Sequence, residues 1–377
     1  GARVYLSDAF PEEHHGRLFM ANIHERAVLS DVLEPKGSGF VAKHGDDLLH
    51  ANNPQWIGFS MEVGPEGALY VLDWHDGDIS GSEILHKDTG RIFRITPKTS
   101  MAQNWDGRYD DLKTMTDAQL VELQLSKSAW HARRARVILQ ARAAKDELDD
   151  SVHGRLHEIF WSNSNPDVRL RAMWATHITG GFAAEDLMNA LEDKDPHIRA
   201  WAIQLLNEDN SPPTRAVDTF ARMAHEDDSP VVRLYLAAAL QRINHDDRWQ
   251  IAQALVKKGE DSDDHNIPKM IWFAIEPLVA GNPGRALELA KSSKIPMVTE
   301  YIARRAVDAN ELEMLLTAVE EPSDARLALL TGMRAGLEGQ LDVTPPGNWD
   351  AIYARLQADD SVADLAQTIS QQFGGIG

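Results

Sequence analysis

The sequence predicts a mainly α-helical protein, in which a helical solenoid follows a small N-terminal antiparallel β part. One observation is a short phrase that occurs three times, with a proline after a turn residue and an arginine three positions later. The arginines of the three phrases, 30 and 34 residues apart, are Arg169, Arg199 and Arg233. A period of this length is typical of stacked helical hairpins. The other observation is that short β-type runs fill residues 1–97.

The repeated phrase explains why a helix begins at each copy. An Asp or Ser before the proline, as at Asp195 and Ser229, is expected to cap the helix. The proline fits the first helical turn, where no backbone hydrogen bond is lost, and an apolar run then supplies the buried face. Because one hairpin cannot bury that face alone, neighbouring hairpins must stack. The pattern resembles HEAT repeats, and this resemblance implies a surface for protein partners.

Residues 1–97 are predicted to form the β part. Gly, Pro and Asp separate its short β-type runs, which cover residues 4–6, 17–20, 39–42, 59–63, 68–72 and 91–95. Evenly spaced short strands of this kind are typical of an antiparallel meander, as in a sandwich or a propeller blade.

Residues 98–116 are predicted to be a linker, and residues 117–377 the solenoid. Outside the three phrases, helices are predicted over residues 131–144, 151–161, 267–279, 296–306, 311–319, 325–337, 349–356 and 362–373. The 43% apolar content is enough for a sizeable core, so the acidic chain is not expected to be disordered.

Charge and composition exclude several classes of function. The formal net charge is −20, which argues against nucleic acid and anionic membranes as partners, since both bind basic surfaces. No apolar run approaches the roughly 18–20 residues of a membrane-inserted helix. The absence of cysteine excludes thiol catalysis, thiolate zinc sites and haem attachment through a Cys-x-x-Cys-His motif within this chain.

A second resemblance rests on the segment VGPEGALYVLDW, residues 63–74, and on residues 90–96. Together they look like a late blade of the propeller in sorbosone- and glucose-dehydrogenase-like quinoproteins. Residues 266–278 are similar to one family in particular, the bacterial proteins labelled membrane-bound dehydrogenases. These proteins join such a propeller to HEAT repeats and to a c-type cytochrome.

The resemblance implies an extracytoplasmic redox protein of which this chain is the middle part. For the whole family it implies a quinone (PQQ), calcium and haem, while no cofactor is expected in this chain itself. About two blades fit into 97 residues, so strand edges would be exposed. The solenoid, a second copy of the chain in a homo-oligomer, or the missing propeller and cytochrome domains would cover them.

Asp73 and His75 are the candidate catalytic residues, because they follow a predicted blade strand and strand ends carry propeller sites. Asp73 is suited to accept a proton, and His75 to act as a general base. The alternative is that Asp73 caps a turn while Trp74 packs between blades. The resemblance itself assigns the quinone to earlier blades, so it transfers no catalytic residue to this chain.

Two further sites are candidates for binding a cofactor or a metal. His24 follows a predicted strand and belongs to the histidine-rich first hundred residues, where imidazole is a common metal ligand. Asp76, Asp78 and Ser80 match the first half of a calcium loop, but Lys87 stands where the bidentate Glu should be. The acidic run that contains Asp261, Asp263 and Asp264 either gathers a cation or is a solvated loop.

The remaining repeated residues have structural interpretations. Trp174 and Trp201 are expected to occupy equivalent core positions, and the repeated arginines to bond aspartates or helix ends of neighbouring repeats. Two functional hypotheses follow. The first is a non-catalytic HEAT-repeat scaffold within a dehydrogenase-like redox protein. The second is a part of a quinone-dependent sugar or sugar-alcohol dehydrogenase, to which the blade-end residues contribute.

Overall fold

The computed structural model describes residues 1–77, 88–320, 322–340 and 343–374. These described residues form eight β-strands and sixteen α-helices, which confirms the predicted fold class. Contacts divide the chain into two compact units. The first comprises Gly1–Lys36 and Phe40–Ala183, and the second comprises Gly37–Gly39 and Ala184–Gly377.

The β part contains two sheets, each built from consecutive strands. The first sheet contains β1 Ala2–Val4, β2 Leu18–Asn22, β3 Ala27–Lys36, β4 Gly39–His44 and β5 Leu49–His50, in the order β1-β2-β3-β4 with β5 also on β3. The second contains β6 Gly58–Val63, β7 Leu69–Asp73 and β8 Arg91–Ile95. The strands pair in antiparallel fashion, as the sequence predicts. These pairs are β1–β2, β2–β3, β3–β5, β6–β7 and β7–β8.

The ten-residue strand β3 is the longest strand, and the sequence prediction missed it. Two features of its sequence conceal it. A polar residue, Ser30, occupies a buried position, where Arg17 donates a hydrogen bond to its Oγ. The second half of the strand is mostly exposed and contains Pro35, which interrupts the apolar alternation on which strand prediction depends.

A buried ion pair fixes the segment that was predicted to be a linker. Arg108 is only 2% exposed, and its guanidinium donates to both carboxylate oxygens of Asp8 at 2.8 and 2.9 Å. Burial alone would raise the pKa of Asp8, but hydrogen bonds from Arg108 and Gln103 outweigh it and hold that pKa below its usual range. Residues 98–116 therefore pack on the β part and are not a flexible linker.

The helices follow in pairs of consecutive helices that pack on each other. The first unit contains α1 Asp117–Glu122, α2 Ala129–Ala143, α3 Ser151–Ser162 and α4 Pro166–Ile178. The second contains α5 Ala184–Ala190, α6 Pro196–Leu206, α7 Thr214–Glu226, α8 Pro230–Ala239, α9 His245–Leu255, α10 Ile267–Val279, α11 Pro283–Ser292, α12 Pro296–Asp308, α13 Leu312–Glu320, α14 Arg326–Leu337, α15 Trp349–Gln357 and α16 Ala363–Gln372. Short 3₁₀ turns cover Glu12–His14, Leu112–Thr114, Leu123–Leu125, Leu240–Arg242 and Gly259–Asp261.

In the second unit, the second helices of the pairs pack on one another in chain order, from α6 through α8, α10, α12 and α14 to α16. They form one layer of the stack. The α12–α14 contact is especially close. A Cβ atom added at Gly332 would lie 2.0 Å from the carbonyl oxygen of Glu300, and one at Gly336 would lie 2.8 Å from Val307 Cβ. Only glycine permits this approach of the two helix backbones.

The helix starts agree with the predicted capping at Asp195 but not at Ser229. The Asp195 carboxylate accepts hydrogen bonds from the backbone N–H groups of His197 and Ile198. The Ser229 side chain makes no cap bond. Instead Asp227, two residues earlier, accepts the Ser229 N–H at 2.9 Å, so the serine hydroxyl does not provide the predicted cap. Among the described helices, none is long and apolar enough to cross a membrane.

Candidate functional site

Asp73 ends strand β7, and its carboxylate is completely buried. Oδ1 accepts the backbone N–H groups of Ile57 and His75 at 2.7 and 2.9 Å. Oδ2 accepts two hydrogen bonds from the guanidinium of Arg91 on β8, at 2.7 and 3.0 Å. Both oxygens are therefore already bonded within the protein. This geometry ties the end of β7 to its neighbours, as in the turn-capping alternative.

His75 lies immediately after that strand end in an unusual backbone conformation. Its φ angle is +56°, in the left-handed region that non-glycine residues seldom adopt. Its Nδ1 lies 2.7 Å from Thr89 Oγ1, and the side chain is partly exposed. A strained backbone at a strand end is common at functional sites, so His75 stays a candidate residue.

A cavity of about 480 Å³ lies beside Asp73. Its lining is mainly apolar and comprises Phe59, Leu72, Asp73, Trp74, Gly90, Arg91 and Ile92. Trp74 is 49% exposed, and its ring meets that of Phe59 edge-on at 5.9 Å. The arrangement suits an apolar or aromatic group better than a free metal ion, because apolar side chains dominate the wall.

The other predicted site residues are not gathered at this point. His24 is exposed in the turn between β2 and β3, on the other sheet. Asp76 is buried, whereas Asp78 and Ser80 lie outside the described residues. Within the ranges that the structure describes, no three His, Cys, Asp or Glu side chains are grouped as a metal site would require.

The repeated arginines form the predicted ladder. The guanidinium of Arg199 donates to both oxygens of Asp227, at 2.8 and 2.9 Å. Arg233 does the same to Asp261, at 2.5 and 2.6 Å. Arg169 donates to the carbonyl oxygen of Phe160, at a helix end. These contacts confirm that the arginines join adjacent helical elements.

The acidic run at residues 260–264 provides helix caps and ion pairs. Asp261 is the buried partner of Arg233. Asp264 accepts the backbone N–H groups of Asn266 and Ile267 at the start of α10, and both the N–H and the hydroxyl of Ser38. Burial opposes ionisation of Asp264, but these hydrogen bonds outweigh it and lower the pKa of its carboxyl.

A row of aromatic side chains lies along the second helices of the second unit. Each stands at the fifth position after a proline in the first turn of its helix, and the four are Trp201, Tyr235, Phe273 and Tyr301. We call these four residues the aromatic row. Phe273 is 55% exposed and the other three are partly exposed. Since α6, α8, α10 and α12 pack in succession, the repeated position puts the row on one face of their layer.

One ring contact within the row and one between the row and a neighbouring residue support this arrangement. The rings of Trp201 and Tyr235 lie 6.4 Å apart, and Trp272, beside Phe273, meets Tyr301 edge-on at 5.4 Å. The sequence prediction placed Trp174 and Trp201 at equivalent core positions, which is wrong. Trp174 stands eight positions after its proline, Trp201 five, and both are only partly buried. Counting from the prolines would have revealed the row.

Comparison with models of known families gives two matches. Residues 1–99 match a domain of unknown function (DUF7133). Residues 154–241 and 184–265 match HEAT repeats, which confirms the repeat prediction. A search of curated proteins finds no match. HEAT repeats are generally protein-interaction modules, so this part of the chain has the architecture of a helical scaffold or docking region.

Proposed function

We propose that this chain is a non-catalytic scaffold that docks a protein partner through the aromatic row, within an extracytoplasmic dehydrogenase-like redox protein. The observation that carries the proposal is the recurrence of an incompletely buried aromatic residue at the same position of four successive helices. The redox setting and the location outside the cytoplasm rest on the resemblance of residues 63–74, 90–96 and 266–278 to the dehydrogenase family.

The chemistry of the row indicates the kind of partner. Trp and Tyr dominate the energetic centres of protein interfaces, since they bury a large area with little loss of side-chain freedom. Partly exposed apolar residues, Leu234 and Met297, lie on the same helices. The nearby Glu276 and Arg305 already pair with each other at 2.7 Å. We therefore expect a protein segment that presents apolar side chains, such as one face of an amphipathic helix.

The test compares two variants that each replace an exposed apolar side chain by serine. Phe273→Ser removes an exposed member of the row, and Met314→Ser removes a 40% exposed apolar side chain from α13, which belongs to the other layer. Proteins cross-linked to wild-type chain in extracts of the source cells would be identified, and one purified partner titrated against all three chains. We expect Phe273→Ser to weaken its Kd by about 10-fold or more and Met314→Ser to leave it unchanged.

Equal Kd values for all three chains would show that the aromatic row is not the docking surface. The Trp201→Ser variant extends the test along the row, because an interface that covers the row should respond at two of its helices. Circular dichroism of each variant checks that the helices are intact.

The second candidate function is participation in a quinone-dependent sugar or sugar-alcohol dehydrogenase, and the strained backbone at His75, next to Trp74 in the wall of the 480 Å³ cavity, favours it. Asp73 itself has no free oxygen for a calcium ion, because both of its carboxylate oxygens are bonded within the protein. In this hypothesis His75 would line the edge of a site held by other parts of the protein. Native mass spectrometry with added PQQ tests it, and the hypothesis fails if wild type and His75→Ala bind equally or neither binds.

A further inference from the structure

Three arginines of the first unit lie together where α2 packs on α4. Arg133 and Arg136 stand one helical turn apart on α2, and Arg171 lies on α4. The guanidinium of Arg136 lies over the ring of Trp174, also on α4, at 5.1 Å from its centroid. Because Arg171 and Trp174 are one turn apart as well, the two helices present matching pairs of positions to each other.

The guanidinium of Arg136 is incompletely satisfied. Its Nη1 atom is buried and has no hydrogen-bond acceptor among the described residues. A buried donor without an acceptor costs about 1–3 kcal/mol, and more when the group is charged. Such a group in a native structure calls for an explanation, and a bound water or ion is a common one.

Nearby carboxylates do not neutralise the cluster. Within the described part of the chain, none of the three arginines forms an ion pair, and Arg171 donates instead to the carbonyl oxygen of Ser126. Burial and, to a smaller extent, the charges of Arg133 and Arg171 together lower the pKa of Arg136 to about 10. Burial also lowers the pKa of Arg171, an effect that Asp167 opposes and Arg133 reinforces.

This concentration of positive charge is unexpected in a chain whose net charge is −20. Ordinarily such arginines would pair with the abundant acidic residues, as Arg199 and Arg233 do in the second unit. The charges of Asp167 and Glu62 act on Arg171 and Arg133, but among the described residues no carboxylate is bonded to the three guanidinium groups, so an anion could still bind them. Guanidinium groups are the preferred protein ligands for oxyanions, since their planar forks match two oxygens at once.

We propose that Arg133, Arg136 and Arg171 bind a divalent oxyanion of the phosphate class. Arg133 is exposed, whereas Arg136 and Arg171 are partly buried, so the ion would enter from solvent and contact the inner pair last. Two negative charges offset most of the positive charge of the three guanidinium groups, and an oxygen would supply the acceptor that Arg136 Nη1 lacks. The ion is either free phosphate or the phosphate group of a monoester.

The experiment measures phosphate binding to the full chain in a buffer free of phosphate and sulfate. Isothermal titration gives Kd for inorganic phosphate and for glycerol phosphate, and thermal unfolding gives Tm with and without each. We expect Tm to rise by about 2–4 °C once the ligand exceeds its Kd ten- to a hundredfold. Whichever of the two ions binds more tightly identifies the source of the phosphate group.

The variants are Arg136→Gln and Arg133→Gln, with Arg134→Gln as the matched control. Arg134 is the exposed neighbour on α2, and its guanidinium lies over the ring of Trp130 instead. We expect each of the first two changes to weaken Kd about 10-fold or more, and the control to leave it within about twofold. Arg133→Gln keeps the test decisive if Arg136→Gln disturbs folding, because Arg133 is exposed.

Two results would overturn the proposal. One is that wild-type chain shows neither binding heat nor a Tm shift with either ion up to millimolar concentration. The other is that phosphate binds wild type, Arg133→Gln and Arg134→Gln with the same Kd, which would place the bound ion elsewhere.

Discussion

Arginines on the second helices of the two units differ in what they face. In the second unit, Arg199 and Arg233 each form a bidentate pair with an aspartate 28 residues further along the chain. In the first unit, Arg133, Arg136 and Arg171 converge without an ion pair among the described residues. The difference shows that the residue type alone does not decide its role. An arginine that is bonded to an aspartate has a structural role, and an arginine without a bonded carboxylate is, in our proposal, able to bind a ligand.

The largest loss of stability is expected from removing one partner of the most buried ion pair in the arginine ladder. The side chains of Arg233 and Asp261 are each 3% exposed. Asp261→Ala leaves a buried guanidinium without its partner, so we expect a loss of about 3–5 kcal/mol in the free energy of unfolding. Chemical denaturation of the variant measures this loss. A decrease below about 1 kcal/mol would show that the ladder is not what joins these repeats.

Removing one arginine of the unpaired cluster is expected to change the free energy of unfolding in the opposite direction. Arg136→Met removes a partly buried charge that has no ion-pair partner but keeps an apolar side chain against Trp174. Without phosphate, we expect this variant to be more stable than wild type by about 1 kcal/mol, since the uncompensated charge disappears. Urea unfolding, with Arg134→Met as the control, measures the change in the free energy of unfolding and its sign. Destabilisation in phosphate-free buffer would remove the contrast between the two groups of arginines.

The smallest expected change in the free energy of unfolding concerns the starts of α6 and α8, which have the same motif in the sequence. Asp195 accepts two backbone N–H groups at the start of α6, whereas the Ser229 side chain makes no cap bond at α8. We expect Asp195→Ala to lower the free energy of unfolding by about 1 kcal/mol and Ser229→Ala to leave it nearly unchanged. Equal losses in paired denaturation curves would contradict the assigned caps.

The sequence alone predicted the helices well, because the capping residue, the proline and the apolar stripe act locally. Helix α10 spans Ile267–Val279, as predicted, and the other helices with predicted bounds begin and end within about two residues of them, whereas no bounds were predicted for α5, α7, α9 and α11. Strand β3 was missed because its stability comes from pairing with distant strands and from a polar core residue, Ser30, rather than from its own pattern.

The candidate sites were less predictable, because a side chain's partners depend on the folded chain. The sequence does not show that the carboxylate of Asp73 is bonded to Arg91, which lies 18 residues later in the chain. Arg136 looked like one more residue of an Arg- and Ala-rich helix, and nothing local shows that its Nη1 lacks an acceptor. Among the features that the sequence prediction missed, the aromatic row had a sequence signal, namely its constant distance from the prolines.

The close contact of α12 with α14 has a mechanical consequence. At Gly332 and Gly336 the two helix backbones touch, so a tilt between these helices would meet backbone atoms rather than flexible side chains. We therefore expect the second unit to have an uneven bending stiffness along its length. Elastic deformation under load should concentrate among α6, α8 and α10, where three members of the aromatic row are carried, while α12 and α14 move as one element.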